Sequence, residues 1–291
     1  MPFADASQVL ERLAQVDVAP TTVWEQTRQH GQRLQAAAER QRCQVGMERT
    51  RWEHGRYDAH LARSISLDGG MIHIRGEGWK EFKVGMVSGI EQHWQDPQHP
   101  IRLVEMAYTA VIGDVACFRP ALWALAVQQD VPYAGRTATT ADGALWIWRL
   151  VADLFPCSLQ IVDWYHARQH LALTANARFP DDETAARRWF DRMSAYLFRG
   201  EVWKIIHDLC QHNGEVHASY FQTHQRRMRY AEFRAEGYPI GSGGVESGIK
   251  QFKQRLTGAG MRWSRSGAER MLAIRAAVLS NSLDTLWAAA A

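Results

Sequence analysis

From Arg63 to Asp114 the chain leaves the helical period and keeps the strand period without a helical interruption. Strand segments that follow one another this closely must pair antiparallel, because a parallel partner needs a crossover of about a dozen residues or more. "ARSISLDGGMIHIRG" reads as strand, tight Asp-Gly turn, strand, and "WKEFKVGMVSGI" and "IRLVEMAYTAVIGD" add to it as an antiparallel meander.

The period then changes again. "VACFRPALWALAVQQD" reads as a helix, and "RTATTADGALWIWRLVADLFP" as a short strand, an Asp-Gly corner and a helix. "SLQIVDWYHA" is a strand ending in an acid. A helical stretch runs from about Arg168 to Glu236, "YPIGSGG" is a loop, and "VESGIKQFKQRL" opens a new helix. In that helix Val245, Ile249, Phe252 and Leu256 share an apolar face. Ser266 with Glu269 forms a capping box for the last helix, "AERMLAIRAAVLSNSLDTLW". Ahead of the sheet, "ASQVLERLAQ" puts Val9, Leu10 and Leu13 on one face, "VDVAP" breaks the pattern, and Thr21 or Thr22 can cap a second helix. That outline fits a helical hairpin or an incomplete helix-turn-helix.

A meander extended by parallel strands through helices gives an α/β mixed sheet with helices on both faces. The order is ribonuclease-H-like, with a helical insertion before the last catalytic helix. It divides the chain into an N-terminal helical region (1–58), a first part of the catalytic core (59–167), the insertion (168–238) and the C-terminal helices of the core (239–291).

No apolar run of about 18 residues exists, so no membrane span is expected. The four cysteines form no CxxC pair, which argues against disulfides and a zinc site and points to the cytoplasm. The net charge of +3 is unevenly spread: Gln225 to Arg275 carries eleven Lys and Arg against four acids. Such a concentration suits a polyanion, or a solvated basic surface.

Three acids stand at places where a sheet presents side chains with little slack: Asp68, Asp142 and Glu246. The first and fourth strands are neighbours in this arrangement, so Asp68 and Asp142 would sit side by side and raise each other's pKa unless a cation lies between them. Oxygen ligands with no His or Cys partners suit Mg²⁺ or Mn²⁺ rather than zinc, and two such ions serve phosphodiester chemistry. Asp-Gly is also a plain turn signal. Glu246, Lys250 and Lys253 fall at i, i+4, i+7, which aims an acid and two lysines the same way, or forms a simple Glu–Lys pair. Arg255 lies in the same helix, and Arg262, Trp263 and Arg265 suit phosphate contact and base stacking, although Trp263 also fits a core. In "IVDWYHARQH", Asp163, His166 and His170 have spacing for a transition metal but lack the HExxH glutamate. Asp163 or His166 more naturally orients another ligand, or contacts DNA.

"SLDGG", "WKEFKVG", "ADGALWIW", "FPCSLQIVDWYHARQHL", "GSGGVESGIKQFKQRL" and "GAGMRWSRSGAERMLAIRA" together resemble a bacterial insertion-sequence transposase of the ISKra type, a group related to the Mutator-like DDE transposases. The resemblance covers about residues 60 to 280. It implies metal-dependent cleavage of double-stranded DNA at element ends and transfer of 3′-hydroxyls to target DNA, by a chain that oligomerises on its DNA. Asp68, Asp142 and Glu246 would be the DDE acids holding two Mg²⁺ or Mn²⁺ ions, with Asp163 the alternative second acid. Relatives carry a Cys-x-x-His pair where this chain has "DWYH", and they have a longer N-terminal DNA-binding region. A truncated, catalytically inactive DNA-binding remnant is therefore the competing expectation, and a hydrolase of small molecules fits the acids but not the basic segment.

Overall fold

The computed structural model describes residues 2–45, 57–92, 101–212, 215–258 and 260–283. The meander consists of β1 (Asp58–Ile74), β2 (Gly78–Gln92) and β3 (Ile101–Ile112), paired antiparallel. The tight turn expected at Asp68-Gly69 is absent. Asp68, Gly69 and Gly70 continue β1 and pair with Val84, Lys83 and Phe82. The chain reverses later, through Gly76 and Gly78, whose φ angles of 77° and 75° only glycine adopts readily. Gly70 serves packing instead: a Cβ there would lie 2.6 Å from the Phe82 ring.

Helix α3 (Val115–Gln128) leads to β4 (Ala134–Ala141), and α4 (Leu145–Leu154) leads to β5 (Leu159–Val162). β4 pairs parallel with β1 and β5 parallel with β4, giving a five-stranded mixed sheet in the order β3-β2-β1-β4-β5. The sheet is thus α/β with helices against it, as the element order implies.

Alternation along β1 sends side chains to two cores. Ile65 and Leu67 join Phe118, Leu122, Ile147, Val151 and Ile161 on one face. Ile72 and Ile74 face the other way, with Phe82, Val84 and Met86. The second face is covered by α10 (Gly243–Leu256) and α11 (Arg265–Leu279). All four residues of the expected apolar stripe, Val245, Ile249, Phe252 and Leu256, are buried there. Burying such a stripe contributes roughly 1.5–3 kcal/mol per side chain.

The helical insertion contains α5 (Trp164–Arg178), α6 (Glu183–Phe198), α7 (Val202–Gln211), α8 (Glu215–His224) and α9 (Tyr230–Ala235). It begins a turn before the expected Arg168, because Asp163 caps α5 by accepting from the His166 N–H at 2.8 Å. Trp189, Leu197, Phe221 and Tyr230 join the first core, and the Tyr230 hydroxyl donates to the Val162 carbonyl at 2.9 Å.

Two expected caps are corrected. α11 is capped by Ser264, whose hydroxyl accepts from the Gly267 N–H at 3.2 Å, and Ser266 lies inside the helix. The reason is upstream: the Arg75 N–H donates to the Trp263 carbonyl at 2.8 Å, which pins Trp263 to the end of β1 and makes the next residue, Ser264, the cap. α11 ends at Leu279, and the expected continuation from Asp284 lies outside the described residues. At the N-terminus, α1 (Phe3–Ala14) and α2 (Pro20–Val45) form the helical hairpin. Pro20 takes the first helical position, so Thr21 and Thr22 sit within the first turn rather than capping it. α2 packs on α11 with Gly31 against Arg270, whereas Val9, Leu10 and Leu13 of α1 are exposed. Among the described residues no helix is long and apolar enough to cross a membrane.

Candidate functional site

Strand register lines up three acids. β1 and β4 pair in parallel up to Ser66↔Thr140, so two residues further on, Asp68 stands level with Asp142. β4 and β5 pair up to Ala141↔Val162, and one residue further on, Asp142 stands level with Asp163. The Asp163 N–H donates to the Ala141 carbonyl at 2.8 Å, carrying the pairing past the end of β5. Three adjacent strands therefore place one carboxylate each at one level of the sheet, where β4 and β5 end and β1 runs on.

The carboxylates differ in what they already hold. Asp68 is partly buried, and burial raises its carboxyl above the ordinary range. The Gly69 N–H, at 2.6 Å, opposes that rise, the charge of Asp142 adds to it, and Lys253 and His166 oppose it. Lys253 comes from α10, and its side chain passes Gly70, where a Cβ would meet the lysine Cε at 3.1 Å. Asp142 accepts from the Ala144 N–H at 2.8 Å, which folds the strand end into the Gly143 corner.

Asp163 is fully buried and heavily used. Oδ1 accepts from the His166 N–H, and Oδ2 accepts from both the N–H and the hydroxyl of Ser242. An ionised carboxylate offers about four lone-pair directions, so roughly one remains. One carboxylate thus caps α5 and anchors the entry to α10. Ser242 is the residue before α10, yet its hydroxyl caps nothing in its own helix. It lies 2.8 Å from Asp163 Oδ2 and 3.2 Å from Glu246 Oε1. The helix that carries Glu246 is in this way tied to the end of β5.

His166 Nε2 lies 3.9 Å from Glu246 Oε1. Among the described residues, ligand atoms of Asp163, His166 and Glu246 fall within 4.8 Å of one another, a spacing that can hold a metal ion. Asp68 and Asp142 adjoin this group through the register and through the charges that Asp68 feels. A cation fits this donor set: buried or half-buried carboxylates face one another across adjacent strands, and one carboxyl is already pushed upward by burial and its neighbour. Carboxylate oxygens favour Mg²⁺ or Mn²⁺, and the imidazole of His166 adds a nitrogen that Mn²⁺ accepts more readily.

On the Asp142 side, the insertion closes over the site. His170 stacks on Tyr220 with ring centroids 3.7 Å apart. Burial lowers the pKa of His170, and the neighbouring His166 and His217 lower it further. Burial lowers His224 to about 4, with Arg227 and His170 adding to the fall.

The residues expected to meet DNA separate into two groups. Lys250, Lys253 and Arg262 are exposed, and none has an ion-pair partner among the described residues. The other three are engaged within the fold. Arg255 lies over the rings of Phe3 and Trp263, and burial lowers its pKa. Trp263 packs against the second core and donates its indole N–H to the Leu256 carbonyl at 2.9 Å. Arg265 pairs with Glu77 and, at 3.8 Å, with Glu269. Sequence reasoning did not single out Ser242 or Tyr220. A serine immediately before a helix carrying an acid was a usable signal for the first; nothing local marks the second. No family model matches the chain, and no curated protein matches it.

Proposed function

We propose that this chain is a metal-dependent polynucleotidyl transferase acting on double-stranded DNA, with a ribonuclease-H-like core and the strand-cleaving and strand-joining activity of a DDE transposase. The observation that carries the reading is the register of Asp68, Asp142 and Asp163 on three adjacent strands, with Glu246 delivered beside them by α10. The motif resemblance between residues 60 and 280 and the basic C-terminal third support the same class.

Asp68, Asp142 and Glu246 hold divalent cations, and His166 borders them. When bound, such ions supply Lewis acidity to phosphodiester oxygens and make a water or a 3′-hydroxyl nucleophilic at neutral pH. Asp142 is the second acid in this reading, because three lone-pair directions of Asp163 already serve the ends of α5 and α10; the one that remains keeps Asp163 beside the cation site with His166 and Glu246. Ser242 orients Glu246. Lys250, Lys253 and Arg262 bind backbone phosphates, and Lys253 lies next to Asp68 so that the held strand passes the acids.

The test is nicking of DNA bearing the element's ends, followed by joining to a target duplex. Purified protein is expected to cleave with Mg²⁺ or Mn²⁺ and not with EDTA, and Asp68→Asn should lose roughly 100-fold or more. Undiminished cleavage by that variant refutes the assignment. Salt-sensitive binding without any metal-dependent cleavage would leave a DNA-binding remnant instead.

A further inference from the structure

Tyr220 sits on α8, far in sequence from every acid of the site, yet it meets the turn that carries one of them. Its hydroxyl donates to the Asp142 main-chain carbonyl at 3.3 Å. Its ring is held from several sides, by His170 stacked at 3.7 Å and by Phe221 and His224 edge-on at 5.3 and 5.0 Å.

The corner it touches suits glycine alone. Gly143 has φ 104°, a conformation that side chains rarely adopt. A Cβ there would also meet His224 Nε2 and the Tyr220 ring at 3.3 Å each. Asp142 itself closes the turn by accepting from Ala144. Asp142 is therefore held at two points: its carboxylate by the Asx turn of its own segment, and its main-chain carbonyl by a hydrogen bond from the insertion.

We infer that Tyr220 is a positioning residue for Asp142, and that through it the helical insertion sets the geometry of the cation site. This rests on the reading of Asp142 as a metal ligand. Partners that hold a ligand's position characteristically alter metal affinity by about 10–100-fold when removed, without removing a ligand. Phe at position 220 keeps the ring stack and the packing and deletes only the donor.

The experiment measures Mn²⁺ binding by the full chain, by titration calorimetry and by the Mn²⁺ resonance signal, together with Tm and the metal-dependent nicking rate. For Tyr220→Phe the expected result is an affinity about ten-fold weaker, an altered Mn²⁺ signal, and a lower kcat at unchanged KM for DNA, with Tm close to wild type. Thr223→Ala, exposed on the same helix, should behave as wild type throughout. If Tyr220→Phe binds Mn²⁺ as wild type does and keeps its kcat, or lowers Tm alone, the positioning role is overturned while the metal reading stands. If wild type binds no Mn²⁺, the metal reading falls, and the inference with it.

Discussion

Asp68 pays a local cost for its place, because burial and the charge of Asp142 both disfavour its ionised form. The sign of the linkage follows. A carboxyl whose folded pKa lies above the unfolded value of about 3.9 contributes stability below that value and loses it as pH rises through the folded pKa. The metal-free protein should therefore be relieved by Asp68→Asn. At pH 8 without divalent ions the variant is expected to be more stable by roughly 1 kcal/mol, with the gap closing toward pH 4. Thermal melting at both pH values checks this. Added Mg²⁺ should raise the Tm of the wild type and leave the variant unmoved. A variant that melts below wild type at pH 8 without metal would show that Asp68 is held by structural bonds instead.

At the scale of elements, much of the fold was legible because period and order are local signals. The meander, the two parallel additions and the apolar stripe of α10 all follow from alternation or helical spacing. The misreadings share a cause, which is that a local signal was outbid by a distant partner. Asp-Gly-Gly suits a turn, but β2 lies alongside and Phe82 fills the room over Gly70, so β1 runs on. Ser266 suits a cap, but β1 pins Trp263 and moves the cap to Ser264. Asp142 and Asp163 were legible at strand ends, while Asp68, expected at one, stands inside β1; Ser242 and Tyr220 act across 79 and 78 residues of sequence, respectively, where no spacing rule reaches. The insertion has its own polar clasp of this long-range kind. Asp208 of α7 accepts from Trp189 Nε1 at 2.8 Å and from Arg178 at 2.6 Å, and Arg192 lies at 3.4 Å. Burial pushes this carboxyl up, but those hydrogen bonds and the arginine charges outweigh it and leave it lowered. A lowered carboxyl stabilises above its unfolded pKa, and that stability is lost as pH falls through the folded value. Asp208→Ala is expected to cost about 1–3 kcal/mol at pH 7, chiefly by stranding the indole N–H and the arginine. Urea unfolding should show the cost shrinking below about pH 4, and a constant cost down to pH 3 would remove the charge from the explanation.

At the scale of the whole molecule, the sheet separates two duties. One face builds a core continuous with the insertion, from Leu67 through Phe221 to Tyr230. The other seats α10, so that packing of Ile249 and Phe252 sets where Glu246 and Lys253 stand. Charge is divided in the same way. Several arginines of the basic third, among them Arg255, Arg265 and Arg275, are occupied by rings, acids or Gln251 inside the fold, while Lys250, Lys253 and Arg262 are exposed. Only exposed cations without carboxylate partners release counterions efficiently when DNA binds. The slope of log K against log salt should then report on those three and not on the others. Replacing Lys250, Lys253 and Arg262 together by alanine is expected to reduce its magnitude by about 3, near one unit per phosphate contact. Arg265→Ala should leave the slope nearly unchanged and lower Tm slightly, because its exposed pairs with Glu77 and Glu269 are worth about 1 kcal/mol or less. The measurement is a fluorescence-anisotropy titration of a DNA duplex from 50 to 200 mM salt in EDTA, which isolates binding from cleavage. An equal loss of slope in both variants would mean that Arg265 leaves its acids to meet the phosphate backbone, and that the division of charge drawn from the free fold does not survive on DNA.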